Sequence, residues 1–345
     1  MSENRRIVLA KRPKGALTLD CFRLERAPLP QAQDGQVLLR TLWLSLDPYM
    51  RGRMNDAPSY AAPVAIGEVM TAGGVCRVIE SRNSEYRPGE LVVATCGWQE
   101  FSVCGAEDLQ RLPAGTARPS LALGVLGMPG FTAYMGLLEI GKPQRGETVV
   151  VAAATGAVGS VVGQIAKLKG CRAVGVAGGA EKCAWAVEAL GLDACIDHRA
   201  PDFDALLSAA CPQGIDVYFE NVGGSIFTAV VPLLNAHARI PLCGLIAQYG
   251  QSARAEEADS LRSFMRAVLV KRISMRGFII FDDFAGQMPR FLEEMQGWVR
   301  NGRIKYREDI VEGLENAPQA FLGLLEGRNF GKLLVRVGAE DGVQA

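Results

Sequence analysis

Apolar and polar positions divide this chain into two textures. From residue 1 to about 125 the apolar residues come in short or alternating runs: Arg6–Leu9, Phe22–Glu25, Val37–Ser45, Gly73–Ser81 and Leu91–Val103. Each run predicts a strand. Pro28, Pro30, Asp34-Gly35, Pro88-Gly89 and Gly97 punctuate them, and strands so closely spaced predict a partly open barrel. A Pro- and Gly-bearing seam from Leu112 to Gly130 then leads into a predicted helix, Thr132–Ile140.

From Glu147 the pattern alternates between strand and helix, the mark of a parallel sheet with crossover helices. The predicted strands are Thr148–Ala153, Ala173–Ala177, Ala194–Asp197, Asp216–Asn221, Arg239–Leu245 and Ile273–Ile280. Between them lie predicted helices Val161–Leu168, Ala180–Leu190, Asp202–Ala210, Ile226–Leu234 and Leu261–Lys271, with a polar loop around Gln248–Glu257. Six strands are the count of a full dinucleotide-binding sheet. A long amphipathic helix follows, Phe284–Arg300, with Phe291, Met295 and Trp298 on one face. The segment Tyr306–Val337 reads as strand, helix Pro318–Leu325 and strand Lys332–Val337, returning to cover the first domain, and the tail beyond it is small and polar. The expected division is therefore a β-rich domain over 1–128, completed by 304–345, and a nucleotide-binding domain over 129–303.

The most informative stretch is ETVVVAAATGAVGSVVGQIAKLKG, Glu147–Gly170. A buried strand, a glycine turn and a helix in this order present free helix N–H groups and a partial positive charge to a phosphate. Gly156 and Gly159 allow close backbone approach, and Gly163 allows tight helix–strand packing. The spacing is G-x-x-G-x-x-x-G rather than G-x-G-x-x-G, and glycine turns of this kind also serve plain packing.

Composition narrows the reading. The chain has 345 residues, and Lys+Arg and Asp+Glu number 37 each, so no basic surplus points to nucleic acid or a membrane surface. No run approaches the ~18 uninterrupted apolar residues of a membrane span, and no apolar signal segment stands near Met1. The nine cysteines are scattered and never spaced C-x-x-C, which suits thiols in a reducing compartment, so a cytoplasmic location is expected. Only two histidines occur, His198 and His237, too few for the Cys/His sets that hold zinc, and no metal is expected.

Cofactor preference is read after the second strand of the parallel sheet. An Asp or Glu there accepts from the ribose 2′-hydroxyl of NADH. This chain has Ala177-Gly178-Gly179-Ala-Glu181-Lys182 instead. The missing acid, the room left by Gly178 and Gly179, and Lys182 in the first helical turn together favour the 2′-phosphate of NADPH. The competing reading makes Lys182 a solvated helix residue partnering Glu181 or Glu188. His198 and Arg199, just past the third strand, lie either beside the same phosphate or simply on the surface.

Eight ordered motifs span nearly the whole chain. They are Ser45-Leu-Asp-Pro-Tyr-Met-Arg-Gly52, Gly67-Glu-Val-Met70, Gly127-Met-Pro-Gly-Phe-Thr-Ala133 and Ala153-Ala-Thr-Gly-Ala-Val-Gly159, followed by Tyr218-Phe-Glu-Asn-Val-Gly-Gly224, Cys243-Gly-Leu-Ile-Ala-Gln-Tyr249, Gly277-Phe-Ile-Ile280 and Arg328-Asn-Phe-Gly-Lys332. On these the chain resembles the zinc-independent medium-chain dehydrogenase/reductases, in the branch of NADPH-dependent 2-alkenal, prostaglandin/leukotriene and curcumin reductases. The resemblance implies an α/β architecture, a six-stranded Rossmann domain beside a GroES-like barrel, and a homodimer joined through the nucleotide-domain sheet edge, for which Ile273–Ile280 is suited. It implies pyrophosphate contacts from Thr155, Gly156, Ala157 and Val158, and a 2′-phosphate contact from Lys182. It further implies that Asn221, Cys243, Gly244, Leu245, Tyr249, Phe278, Ile279, Ile280 and Asn329 line the rest of the cofactor. His198 stands where relatives carry a tyrosine beside the phosphate. Zinc-dependent cousins place a Cys and a His where this chain has Leu46 and Glu68.

The implied reaction is reduction of the C=C bond of an α,β-unsaturated ketone or aldehyde, with hydride to the β-carbon and a proton to the α-carbon. Charge gathers on the carbonyl oxygen, so a donor must point there. Tyr249 is the first candidate, as donor, proton source or orienter of water; packing over the cofactor is its alternative, and a cofactor ribose hydroxyl is an alternative donor. Tyr49, after the stiffening Pro48, is a catalytic and substrate-contact candidate, or else a core tyrosine closing the barrel. Tyr60 and Met128 are further substrate-pocket candidates, with Phe101 and Met265 behind them, although scattered Met and Phe are usually core. Arg51 is expected to tie Asp47 or a backbone carbonyl. Two other readings remain open, a quinone oxidoreductase of the same superfamily and a non-catalytic NADPH-binding protein.

Overall fold

The computed structural model describes residues 3–249 and 256–339, with the backbone alone for 256–260. Part of the expected loop Gln248–Glu257, and the end of the polar tail, lie outside the described residues. The chain forms two compact units, one running from the first residues to Leu123 and completed from Glu308 onward, the other spanning Gly124–Arg307.

In the first unit β1 (Glu3–Leu9) and β2 (Phe22–Pro28) form an antiparallel pair. The ten-residue β3 (Gln36–Ser45) is the organising strand, and the one-turn helix α1 (Tyr49–Arg53) follows it. Then come β4 (Gly73–Ser81), β5 (Leu91–Thr95), β6 (Phe101–Gly105) and β7 (Gln110–Arg111). The run Leu91–Val103, expected as one strand, is two. Gly97 sits at φ +69 and reverses the chain, so β5 pairs with β4 whereas β6 pairs with β3. Register shifts between Leu38 and Leu39 and between Thr41 and Trp43 bend β3, as bulges do.

In the second unit α2 (Met128–Met135) opens with Pro129 in its first turn. The helix expected over Thr132–Ile140 gives way at Gly136 to a wider π-type turn, Gly136–Gly141. A Cβ on Gly136 would stand 2.7 Å from the rings of Phe219 and Phe278, so this backbone is pressed against aromatics. The alternation then runs β8 (Thr148–Ala152), α3 (Gly159–Leu168), β9 (Arg172–Ala177), α4 (Ala180–Glu188), β10 (Ala194–Asp197) and α5 (Phe203–Ala210). It continues with β11 (Ile215–Phe219), α6 (Gly224–Val230), β12 (Leu234–Leu242), α7 (Glu256–Lys271) and β13 (Ser274–Gly277). The expected helix Phe284–Arg300 is divided into α8 (Ile280–Phe284), a 3-10 turn and α9 (Met288–Arg300), with Pro289 at the start of α9. Phe291, Met295 and Trp298 are its buried residues, as the amphipathic pattern predicts.

Among the described residues these strands make one six-stranded parallel sheet in the order β10-β9-β8-β11-β12-β13. The order reverses between β8 and β11, the switch point outside which ligands bind in doubly wound sheets. β12 begins at Leu234 and stops at Leu242, so Cys243–Leu245 belong to the loop beyond its carboxyl end. β13 stops at Gly277, which likewise puts Phe278–Ile280 in the following loop and at the start of α8.

The chain returns to the first unit through β14 (Glu308–Glu312), α10 (Ala317–Leu325) and β15 (Lys332–Arg336). β15 pairs antiparallel with β3 and parallel with β14, giving a mixed sheet β14-β15-β3-β4-β5-β7, with β6 added on β3. Trp98, Phe22 and Phe321 meet in the hydrophobic core of this unit, with Trp98 stacked 5.4 Å from Phe22 and edge-on 5.6 Å from Phe321. No helix among the described residues is long and apolar enough to cross a membrane.

Candidate active site

The glycine turn sits at the carboxyl end of β8. Ala153 adopts φ +53, the left-handed region that costs an L-residue energy, and its carbonyl accepts from Gly156 N at 2.9 Å. A Cβ on Gly159 would stand 2.2 Å from that carbonyl oxygen, and one on Gly163 would stand 2.9 Å from Leu192. Both positions therefore need glycine for contact, whatever binds. Val158 is the N-cap of α3 and provides no side-chain cap; Ser160 N and Val161 N already donate to Gly156 O and Val158 O at 3.1 Å, so an anion would be met by the N–H groups of the turn just ahead of them and by the positive end of the helix. Thr155 is buried in the turn, and Gly156, Ala157 and Val158 are half-buried.

The next two strand ends make a cationic cradle. Gly178 follows β9, and a Cβ on it would lie 3.0 Å from His198 Nε2 and 3.1 Å from both Nε and a terminal nitrogen of Arg199. Gly179, at φ +99, is the N-cap of α4, whose first turn carries Lys182. Asp197 Oδ1 accepts from Gly179 N at 2.9 Å and Arg199 N at 3.0 Å, and these bonds hold its carboxyl below the usual range. Partial desolvation, then Arg199 and Lys182, lower the His198 imidazole from its ordinary value, with Asp197 opposing. The cradle suits a compact dianion.

The remaining strand ends complete the row. Asn221, past β11, donates its side-chain N–H to Ala152 O at 2.8 Å and so ties two strand ends together. Below it Glu220 is fully buried, one carboxylate oxygen accepting from Val222 N at 2.6 Å and Gly223 N at 2.9 Å. Burial outweighs those donors and raises the Glu220 carboxyl, and the adjacent Tyr218 phenol is also raised, by burial and by Glu220. Past β12, burial and then Glu220 push the Cys243 thiol up to about 12. The Tyr249 hydroxyl lies 3.9 Å from the position of a Cβ on Gly244, so the phenol hangs over the Cys243–Leu245 loop. Phe278, Ile279 and Ile280 leave the end of β13. Six strand ends thus bring all the second unit's proposed cofactor residues to one edge of one sheet.

The first unit holds the others. Tyr49 begins α1, half-buried against the barrel core, and its phenol is raised by burial and then by Asp47 and Tyr60. Tyr60 is 55% exposed. Asn329 precedes β15 and donates to Gly331 O at 2.9 Å. Arg51 reaches the backbone carbonyl of Gly15 at 3.0 Å and Asn55 Oδ1 at 2.6 Å. Asp47 is instead paired with Lys332, at 2.6 Å. In the second unit Met128 is half-buried at the start of α2, and Met265 is 59% exposed on α7, which makes it surface rather than pocket lining there.

With this geometry in hand, two family models match the chain. One described as the N-terminal domain of oxidoreductase covers residues 5–112, and one described as zinc-binding dehydrogenase covers residues 157–297. The chain is 56% identical to the NADPH-dependent curcumin reductase of Escherichia coli over 98% of each protein. It is 40% identical to prostaglandin reductase 1 of Bos taurus over 95% of this chain and 97% of that one. The chain belongs to the curcumin and prostaglandin reductase branch of the medium-chain dehydrogenase/reductases. Its fold matches the crystal structure of CurA from Vibrio vulnificus in complex with NADPH with a TM-score of 0.94, at 56% identity over 97% of this chain and 99% of that one.

The zinc in the second model's description does not fit these residues. Among the described residues no three His, Cys, Asp or Glu side chains gather to hold a metal ion. Glu68, where zinc-dependent cousins carry a ligand, accepts from Ala65 N in its own turn.

Sequence reasoning missed Asp197, Glu220 and Lys332 as site-building residues. Asp197 ends the third strand and bonds back to the loop after the second, a tertiary contact without a sequence signal. Glu220 was legible in part, as an acid in an otherwise apolar strand end ahead of two glycines.

Glu220 carries a pH prediction. Its folded carboxyl lies above the ordinary glutamate value of about 4.3, so the stability it contributes is present below that value and is lost as pH rises through the raised one. Glu220→Gln keeps the accepting oxygen and removes the titration. Its urea midpoint should therefore gain on wild type with rising pH; parallel midpoint curves would refute the assignment.

Proposed function

We propose that this chain is an NADPH-dependent reductase of C=C bonds conjugated to a ketone or aldehyde, acting without a metal. The supporting observation is the cradle that His198 and Arg199 make around Gly178, with Lys182 in the first turn of α4, in a chain 56% identical over its length to a curcumin reductase. Thr155, Gly156, Ala157 and Val158 hold the pyrophosphate against the uncapped start of α3. Lys182, His198 and Arg199 take the 2′-phosphate. Asn221, Cys243, Gly244, Leu245, Phe278, Ile279, Ile280 and Asn329 are assigned to the rest of the cofactor. When bound, NADPH supplies the hydride that reaches the β-carbon of the substrate.

The chain supplies hydrogen bonds and a proton. Tyr249 is assigned to the carbonyl oxygen, where its phenol stabilises developing negative charge or orients the water that protonates the α-carbon. Tyr49 is assigned to the substrate as an aromatic contact and donor, with Tyr60 and Met128 as further contacts. Burial and Asp47 keep the Tyr49 phenol protonated, so it donates throughout the neutral range.

We also infer a homodimer. β13 is an edge strand with exposed side chains, and α7 presents Leu261, Met265 and Leu269 four residues apart on one exposed face. A second copy of this chain is the occupant that would cover both. Light scattering should give the dimer mass for wild type and a monomer for Met265→Glu/Leu269→Glu; a monomeric wild type would refute it.

The activity is tested with a panel of enals, enones, dienones and quinones and with NADPH deuterated at the transferred position. Label at the β-carbon of a saturated ketone or aldehyde is expected; turnover of quinones alone would replace the assignment. The cradle is tested separately. Lys182→Ala should weaken NADPH about 10- to 100-fold, the worth of one charged hydrogen bond, while leaving NADH nearly unchanged. Because the free imidazole of His198 is held toward its neutral form, phosphate binding draws a proton onto it. Selectivity for NADPH over NADH should therefore rise as pH falls from about 8 to about 6, more steeply in wild type than in His198→Asn. The ligand phosphate's own titration is common to both proteins, so equal slopes would exclude His198 from the cradle.

A further inference from the structure

We propose that Lys332 and Asp47 are positioning residues for Tyr49, forming a buried ionic clamp that sets where its phenol stands. This rests on the assignment of Tyr49 to substrate made above. The clamp joins two motifs far apart in sequence. Lys332 Nζ donates to Asp47 Oδ1 at 2.6 Å and to Leu46 O at 3.0 Å, while Ser45 Oγ donates to the other carboxylate oxygen of Asp47. Lys332, Asp47 and Ser45 are 4%, 6% and 4% exposed. The backbone repeats the join, because Leu46 N donates to Leu333 O at 3.3 Å and Ser45 is the register partner of Leu334.

Tyr49 lies two residues beyond this anchor, across Pro48, whose ring fixes φ near −57°. Met50 N closes onto Asp47 O at 3.1 Å, so the turn that carries Tyr49 begins at the clamped residue itself. Beyond Tyr49 the guanidinium of Arg51, 3% exposed, is fastened to Gly15 O and Asn55 Oδ1. The segment is therefore held on both sides of Tyr49. An apolar pair of similar volume would fill the same space without the desolvation that two buried charges incur. What an ion pair adds is direction, since the lysine must point at one carboxylate oxygen and one carbonyl.

The test is a double-mutant cycle between the clamp and Tyr49, read as NADPH Kd, enone KM and kcat. Asp47→Asn/Lys332→Met removes both charges together and leaves no unpaired ion. It should keep the wild-type NADPH Kd and raise enone KM about 5- to 10-fold, as loss of one uniformly made hydrogen bond does, with kcat changed much less. Tyr49→Phe should raise KM to a similar degree, and the triple variant should be no worse than either parent. Asp47→Glu, which keeps the charge and lengthens the arm, should also raise KM and serves where the neutral pair fails to fold. A clamp variant with wild-type KM, or a triple variant whose losses multiply, overturns the proposal. If Tyr49→Phe alone leaves KM unchanged while the clamp variant raises it, the failure lies in assigning Tyr49 to substrate.

Discussion

The second unit depends on one steric constraint at the end of β8. The first turn of α3 rests directly on the carbonyl of Ala153, where any Cβ at position 159 would sit 2.2 Å from the oxygen. Ordinary contact starts at 3.4 Å, so a side chain there would drive helix and strand apart by about 1 Å. Gly175 stands under the same constraint, with a Cβ 2.7 Å from that of Ala154 and 2.9 Å from Leu192, the residue that also meets Gly163. Three glycines thus set how closely β8, α3 and β9 pack. That closeness puts the uncapped start of α3 and the Gly178 loop along the same sheet edge.

The alternation of apolar runs was enough to read all six parallel strands in order, because each is continuous, short and bounded by turn residues. Boundaries moved where tertiary packing overrode local pattern. Gly136 gives way under two aromatic rings, and Gly97 turns one apolar run into two strands with different partners. The glycine turn and Lys182 were legible because they lie close together in sequence. The pairing of Asp47 with Lys332 was not: both motifs were visible, but nothing local says that a buried lysine at the start of β15 pairs with an aspartate in the turn after β3. Arg51, four residues after Asp47, is the nearer guess, but its guanidinium goes to the other expected partner, a backbone carbonyl, at Gly15, and to Asn55.

Buried charge is handled differently in the two units. In the first, Asp47 is matched by a lysine within hydrogen-bond distance, and the pair fixes a geometry. In the second, Glu220 is met by the backbone N–H groups of Val222 and Gly223, and burial outweighs them and raises its carboxyl. Glu220 acts on its neighbours in turn. Cys243 and Tyr218 lie beside it, and any negative charge on Glu220 works against ionising either. At the sheet edge itself the local positive field comes from Lys182 in the first turn of α4 and Arg199 after β10.

That field explains how the chain can carry an acid at the sheet edge and still favour a phosphate. Asp197 stands close enough to the Gly178–Gly179 loop to play the part of a ribose acceptor. One of its two carboxylate oxygens, Oδ1, is however already turned back to the N–H groups of Gly179 and Arg199. Charge leads the same way once His198 is counted: Arg199 and Lys182 stand against the carboxylates of Asp197 and Glu181, and a proton taken up by His198 tips the balance around Gly178 positive. A neutral 2′-hydroxyl gains little from such a field, whereas a dianion gains from every member of it. Asp197 therefore works as a strut that ties the backbone at Arg199 to the backbone at Gly179.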